Sequence, residues 1–296
     1  MNLIRPAHLT TAAALTTTGL ALAAGPAMAE GQPEHVAIIN TAHRGASAHA
    51  PENTLAANQV AIEQHSDWIE SDVQLSKDGV PVLIHDTTLN RTTDVEQVFP
   101  GRAPWRVGDF TLEEIKQLDA GSWKGPAFAG EPVPTLKEMV EQVRGSRSGI
   151  LMEIKAPELY PGIEQAVADV FASFPGYVRS AVAAGRLAVQ SFGWDSMHTY
   201  QQVQPEVPVG LLGTPPVARL AELAAWADQV NPNHGTYDKA YVDAVHAHGM
   251  EVHTWTVDDP ARMHVVLDRG VDGVITNKPD ALNRVLAERK AARSAA

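Results

Sequence analysis

The sequence predicts an α/β fold: a closed (β/α)8 TIM barrel with a small insertion between the second strand and its helix. Three observations lead there. From about residue 36 onward, eight short runs rich in β-branched and apolar residues alternate with eight longer segments of helical spacing, the count that closes a parallel barrel. The chain has 296 residues, 44% of them apolar and 20% charged, enough to fill one barrel core, which typically takes about 250 residues. No Gly-x-Gly-x-x-Gly follows the first run, so the competing doubly wound open sheet with a dinucleotide site lacks its main support.

The elements follow in order. Arg5 and a polar start lead into an Ala/Leu/Thr-rich run at 12–24 that ends at Ala27-Met28-Ala29. This is the pattern of a secretory signal peptide over 1–29, with small residues at the cleavage site and an apolar run too short to span a bilayer. A single domain over 30–296 is expected after cleavage near Ala29, secreted and without a stable membrane anchor, because no later segment has about 18 uninterrupted apolar residues. Strands are predicted at 36–42, 68–75, 150–155, 187–191, 209–212, 227–231, 251–256 and 273–276. Helices are predicted near 53–65, 135–144, 162–174, 194–202, 217–225, 239–248, 259–269 and 279–292. Gly249 and Gly270 end two helices just before a strand, and Pro260 and Pro279 sit where a first helical turn begins. The irregular part is about 87–134, rich in Gly, Pro and Trp, with helical spacing of its own at 112–118. A stretch that long is expected to carry its own small structure, here a subdomain over the barrel mouth.

Charge and composition exclude several classes. The net charge of −12 becomes −13 when Arg5 leaves with residues 1–29, so the basic footprint of a nucleic-acid binder is absent. With no cysteine there are neither disulfides nor thiolate metal sites, and any metal must sit on oxygen or imidazole ligands.

In a barrel of this kind the working residues lie where strands end. Strand one ends in His43-Arg44-Gly45, strand two carries Glu70 and Asp72, and strand three carries Glu153 and Lys155. Glu70 and Asp72 are two apart on a strand and share a face, which points into the barrel unless Ser71 and Val73 take that side. Two buried carboxylates repel, and a divalent cation lets both stay ionised, with Glu153 as a third hard oxygen ligand. Such a donor set suits Mg²⁺ or Ca²⁺ better than Zn²⁺. His43 and His85 each arrive at the end of an apolar run, and paired imidazoles suit acid/base work. His198, His246, His248 and His264 sit instead in helical patterns. Arg44 and Lys155 offer cationic donors for phosphoryl oxygens, or pair with the nearby acids. Gln190, Phe192 and Trp255, at the ends of later strands, are placed to line a pocket.

The segments His43-Arg44-Gly45, Pro51-Glu52-Asn53-Thr54, Glu70-Ser71-Asp72-Val73, His85-Asp86, Arg91-Thr92-Thr93 and Glu153-Ile154-Lys155 resemble, in that order, the glycerophosphodiester phosphodiesterase family. The likeness continues through Leu118-Asp119-Ala120-Gly121-Ser122-Trp123 and Ile275-Thr276-Asn277-Lys278-Pro279. The resemblance implies hydrolysis of a small-molecule glycerophosphodiester to glycerol 3-phosphate and an alcohol. It implies Ca²⁺ or Mg²⁺ on Glu70, Asp72 and Glu153, an acid/base pair at His43 and His85, and phosphate contacts from Arg44 and Lys155. Glu52 either approaches the metal or substrate or organises the loop before the first helix. Attack by the neighbouring glycerol hydroxyl, through a cyclic phosphate that water opens, is the expected route. Lysolipids are an alternative substrate if aromatic residues of the insertion seat acyl chains, and glycerol-phosphate cell-wall polymers are another. A binding protein without turnover would need this site to stay idle.

Overall fold

A computed structural model describes residues 38–295. The signal-peptide pattern and the first two residues of the strand expected at 36–42 lie outside that range. Nine strands form one sheet: β1 Ile39–Ala42, β2 Trp68–Leu75, β3 Pro81–Leu83, β4 Gly149–Ile154, β5 Leu187–Ser191, β6 Val209–Leu212, β7 Gln229–Asn231, β8 Glu251–Thr254 and β9 Gly273–Thr276. Eight of them run parallel in the order β1-β9-β8-β7-β6-β5-β4-β2, and β1 also pairs with β2, so the ring closes. The barrel is therefore the predicted one.

β3 is not among the eight predicted strands. This three-residue strand lies antiparallel on β2, with Val73 opposite Leu83, and forms the hairpin that delivers His85. It is too short to show a period. The helix Tyr177–Ala183 is likewise unpredicted, because the 162–174 pattern is cut by Pro175-Gly176 and resumes for only seven residues. The helix expected at 217–225 is a 3₁₀ turn, Val217–Arg219, followed by the helix Leu220–Leu223.

Strand parity decides what faces where. Ile69 and Val73 join the apolar layer between barrel and helices, with Met152, Ile154, Val189 and Leu211. Trp68, Leu151, Ala188 and Ile275 have the opposite parity and form a small apolar plug inside the barrel. Glu70 and Asp72 share the parity of Trp68, and Glu153 shares that of Leu151, so all three acids point inward above this plug. Their exposures of 1%, 0% and 6% agree. Glycine makes room at one interior point: a Cβ on Gly210 would lie 2.6 Å from Asn231 Nδ2. Without it Asn231 could not reach across β6 to donate to Gln190 Oε1 at 2.8 Å.

The 87–134 stretch holds the short helices Val95–Val98 and Leu112–Ile115, the second opened by a capping box between Thr111 and Glu114. It packs its own core of Leu89, Val95, Val107, Phe110, Ile115 and Leu118 against Val82 and Ile84, with Phe99 and Trp105 alongside. Most of its apolar side chains thus point inward, while Val98 and Trp123 remain exposed. Hydrogen bonds that tie it to the barrel include Lys124 Nζ to the Ser47 carbonyl at 2.6 Å, Ala56 N to Glu131 Oε1 at 3.1 Å and Lys116 Nζ to Glu138 Oε2 at 2.6 Å.

Candidate active site

β1 ends at Ala42 and the chain turns at once through Arg44 and Gly45, both at positive φ, 56° and 77°. A non-glycine residue in that region costs roughly 1–2 kcal/mol. The turn aims Arg44 N–H at Glu70 Oε2, 2.8 Å away. Gly45 is required on space as well, since a Cβ would lie 2.6 Å from that of Ala57. Asn53, also at positive φ (57°), is buried and grips Asp72 twice: Nδ2 donates to Oδ2 at 2.9 Å, and Oδ1 accepts from the Asp72 N–H at 3.0 Å.

Glu70, Asp72 and Glu153 each place a carboxylate oxygen within 4.8 Å of the other two. The cations beside them are also fixed. Arg44 Nε lies 3.3 Å from Asp72 Oδ2, and Lys155 Nζ lies 2.7 Å from Glu153 Oε1 and 3.2 Å from Asp72 Oδ1. Arg44 and Lys155 thus stand against the acids at the wall of the enclosed cavity. Burial disfavours a charge on all three carboxyls, but the outcomes differ. Lys155 and Arg44 hold Asp72 well below the usual carboxylate range, whereas burial and the Asp72 charge push Glu153 up to about 8. Glu70 is driven well above its ordinary value by burial, Asp72 and Glu153. One stable carboxylate flanked by two that prefer a proton is an arrangement in which a cation would let all three ionise. Glu70 Oε1 is moreover buried with no hydrogen-bond donor, and Asp72 Oδ1, also buried, has the Lys155 ion pair at 3.2 Å but no hydrogen bond. Hard oxygen donors with unmet acceptor capacity fit a divalent cation.

The two histidines have chemically different partners. His43 Nδ1 lies 2.7 Å from Asn277 Oδ1, an amide oxygen. Burial, with Arg44 next to it, lowers the His43 pKa to about 4, so the ring is neutral at pH 7. His85 Nδ1 lies 2.6 Å from Asp86 Oδ1, a carboxylate. Arg91 donates to both Asp86 oxygens and, together with His85, holds that carboxyl down to about 2 against its burial.

Glu52 lies outside the three-carboxylate group. It accepts from Arg44 at 2.9 Å and from Arg91 at 2.6 and 3.0 Å, joining the loop after β1 to the loop that carries His85. Two cavities meet at the site. One, of about 90 Å³, is enclosed by His43, Glu70, Gln190 and Trp255 among others. The second, of about 620 Å³, is open and carries Asp86, Thr88 and Glu158. His85, Glu153, Lys155 and Phe192 line both and so mark the junction. Gln190 gives its Oε1 to Asn231, leaving Nε2 for the enclosed cavity. Trp255 is held by Asn231 O at 2.7 Å and meets Phe192 edge to face at 5.6 Å.

The residues predicted from strand ends thus converge. Strand ends alone do not single out Asn53, Asp86, Arg91, Asp258 and Asn277. Asp86 follows His85 directly and Asn277 follows the last strand, so position along the chain points to both. Asp258, which accepts from Asn277 Nδ2 at 2.6 Å, lies two residues past the strand expected at 251–256.

Similarity to known proteins agrees with this geometry. A family model described as the glycerophosphoryl diester phosphodiesterase family matches residues 43–281, a span that takes in every site residue above. A glycerophosphodiester phosphodiesterase of Caldanaerobacter subterraneus subsp. tengcongensis is 38% identical over 245 residues, covering 81% of this chain and 94% of its own. One from Bacillus subtilis is 35% identical over 264 residues, covering 84% and 86%. Among solved structures, an Oleispira antarctica phosphodiesterase in complex with the product sn-glycerol-3-phosphate matches with a TM-score of 0.73 at 30% identity, over 83% of this chain and 96% of that one. The chain belongs to the glycerophosphoryl diester phosphodiesterase family.

Proposed function

We propose that this chain hydrolyses glycerophosphodiesters to glycerol 3-phosphate and an alcohol, with Mg²⁺ or Ca²⁺ held by Glu70, Asp72 and Glu153. The observation that carries the reading is the convergence of three carboxylates, two cations and two differently partnered imidazoles where an enclosed cavity meets an open one. The relative with sn-glycerol-3-phosphate bound supports the substrate class. When bound, the cation supplies charge neutralisation and polarises phosphoryl and neighbouring hydroxyl oxygens.

The remaining chemistry belongs to the chain. We place the common glycerol phosphate in the enclosed cavity and the variable alcohol in the open one. His43 lines only the enclosed cavity; neutral, with Nδ1–H turned to Asn277, it has its lone pair on Nε2. It accepts the proton of the glycerol hydroxyl beside phosphorus. His85 stands at the junction, with its Nδ1 against Asp86 Oδ1 and Nε2 left for the substrate. It donates from Nε2 to the departing alcohol oxygen as the new phosphorus–oxygen bond closes the ring. Water then opens the cyclic phosphate with the proton flow reversed. Arg44 and Lys155 donate to phosphoryl oxygens. Turnover of glycerophosphocholine, with loss of turnover on an analogue lacking the neighbouring hydroxyl, tests this route; equal rates on both would refute it.

We also place the mature chain outside the cytoplasm, on the pattern of residues 1–29; protein recovered from culture medium is expected to begin at Glu30. No helix among the described residues is long and apolar enough to cross a membrane.

A further inference from the structure

We propose that Asp258, on the loop between β8 and the helix Pro260–Asp268, is a positioning residue for His43: acting through the side-chain amide of Asn277, it fixes the imidazole in its Nδ1–H form. The inference rests on the reading of His43 as the base. It begins from hydrogen-bond direction. Asp258 Oδ1 accepts from Asn277 N–H at 2.8 Å and from Thr276 Oγ1 at 3.0 Å, and Oδ2 accepts from Asn277 Nδ2 at 2.6 Å. An ionised carboxylate only accepts, so the Asn277 atom facing it must be the NH₂ group. The amide oxygen is thereby turned the other way, to His43 Nδ1 at 2.7 Å and Ser47 Oγ at 2.7 Å. An amide oxygen also only accepts, so His43 Nδ1 carries the hydrogen and Nε2 carries the lone pair. Each link leaves one choice. The carboxylate orients the amide, and the amide orients the ring.

The same geometry states what happens when the carboxylate becomes an amide. In Asp258→Asn, the new Oδ1 is claimed by the backbone N–H of Asn277 and by Thr276 Oγ1. The new Nδ2 then faces the Asn277 side chain and calls for its oxygen. Asn277 flips, its own NH₂ turns to His43 Nδ1, and the ring answers with the Nε2–H tautomer. A histidine in that form has no lone pair for the substrate hydroxyl. A double variant, Asp258→Asn with Asn277→Asp, restores every direction: the amide now at position 258 donates to one oxygen of the carboxylate now at position 277, and the other oxygen accepts His43 Nδ1–H. His85 differs, since its carboxylate partner touches the ring directly. Interposing a neutral amide fixes the His43 tautomer without placing an anion against a ring that must begin uncharged.

The test is long-range ¹H–¹⁵N spectroscopy of the full-length protein labelled at histidine, with the His43 signals identified by their loss in His43→Gln, alongside turnover of glycerophosphocholine with Mg²⁺. Wild type is expected to show protonated Nδ1 and bare Nε2. Asp258→Asn is expected to reverse that pattern and to lower kcat by roughly 100-fold with little change in KM, in line with loss of a general base. The double variant is expected to return the wild-type pattern and to recover at least about tenfold of the lost kcat. An unchanged tautomer in Asp258→Asn, or a double variant no better than the single one, would overturn the proposal; a residue that merely braced the loop would give that result. A reversed tautomer with unchanged kcat would uphold the positioning and instead remove His43 from the base role, so the two readings fail separately.

Discussion

Removing divalent cations is expected to make this fold lose stability as pH rises, because Glu70 and Glu153 both hold their protons in the folded chain, and the Glu153 share can be sized. Its carboxyl is buried inside the barrel, where burial and the Asp72 charge raise it from 4.5 to about 8. Below both values, folded and unfolded chains alike hold the proton and there is no penalty. Between them the unfolded chain has released a proton that the folded chain keeps, so stability falls with pH; above about 8 the penalty is complete. The span of about 3.5 pH units corresponds to about 5 kcal/mol at 1.36 kcal/mol per unit. From about pH 5.5 to about pH 8 the share lost is on the order of 3 kcal/mol, or roughly 6–12 °C in melting temperature. The assay is denaturation of wild type and Glu153→Gln in EDTA across that window. Glutamine keeps the side-chain shape, and its oxygen can still accept from Lys155, so the difference between the two proteins reports this ionisation together with its coupling to Glu70. The variant is expected to gain on wild type by about 3 kcal/mol as pH rises. With saturating Mg²⁺ or Ca²⁺ the wild-type profile is expected to flatten and its advantage to return. A difference that stays constant with pH would refute the reasoning.

Three further outcomes follow from the geometry. Alanine at His43 or His85 is expected to lower kcat by about 10²–10⁴-fold on glycerophosphocholine. On an ester with a nitrophenol leaving group, which departs without a proton, His85→Ala is expected to lose much less while His43→Ala loses as much as before; equal losses would contradict the assigned roles. Arg91→Met removes the donor shared by Glu52 and Asp86, and is expected to lower kcat about tenfold while costing at most about 1 kcal/mol, because Arg91 is a partly exposed ion-pair member; unchanged kinetics would count against the Asp86–His85 pairing. Asn53→Ala combines a positive-φ penalty with two lost buried hydrogen bonds to Asp72, and is expected to cost about 2–4 kcal/mol in denaturant titrations; a cost below about 1 kcal/mol would show that neither feature is under strain.

The barrel is legible in the sequence because its strands are buried on both faces and read as unbroken apolar runs, as at Val209–Leu212 and Gly273–Thr276. The acids are legible because Glu70 and Asp72 stand at a spacing of two on a strand that also carries Trp68, Ile69 and Val73. What stays hidden is either short or distant. β3 spans three residues, and the Tyr177–Ala183 helix follows a Pro-Gly break. Asp86 is next to His85 in the chain, but the other partners around the histidines are joined by folding rather than by sequence: Asn277 is 234 residues from His43, and Glu52 is 39 from Arg91. Position along the strands locates the groups that react, but hydrogen-bond direction, which decides their protonation, exists only once the barrel has closed.

The most direct test of the function is product analysis by ³¹P NMR on sn-glycero-3-phosphocholine, with wild type, His43→Ala and Glu70→Ala, in EDTA and after adding back Mg²⁺ or Ca²⁺. Wild type with the cation is expected to give glycerol 3-phosphate and choline in equal amounts, with little turnover in EDTA or in either variant. Full activity in EDTA, or phosphocholine and glycerol as products, would contradict it.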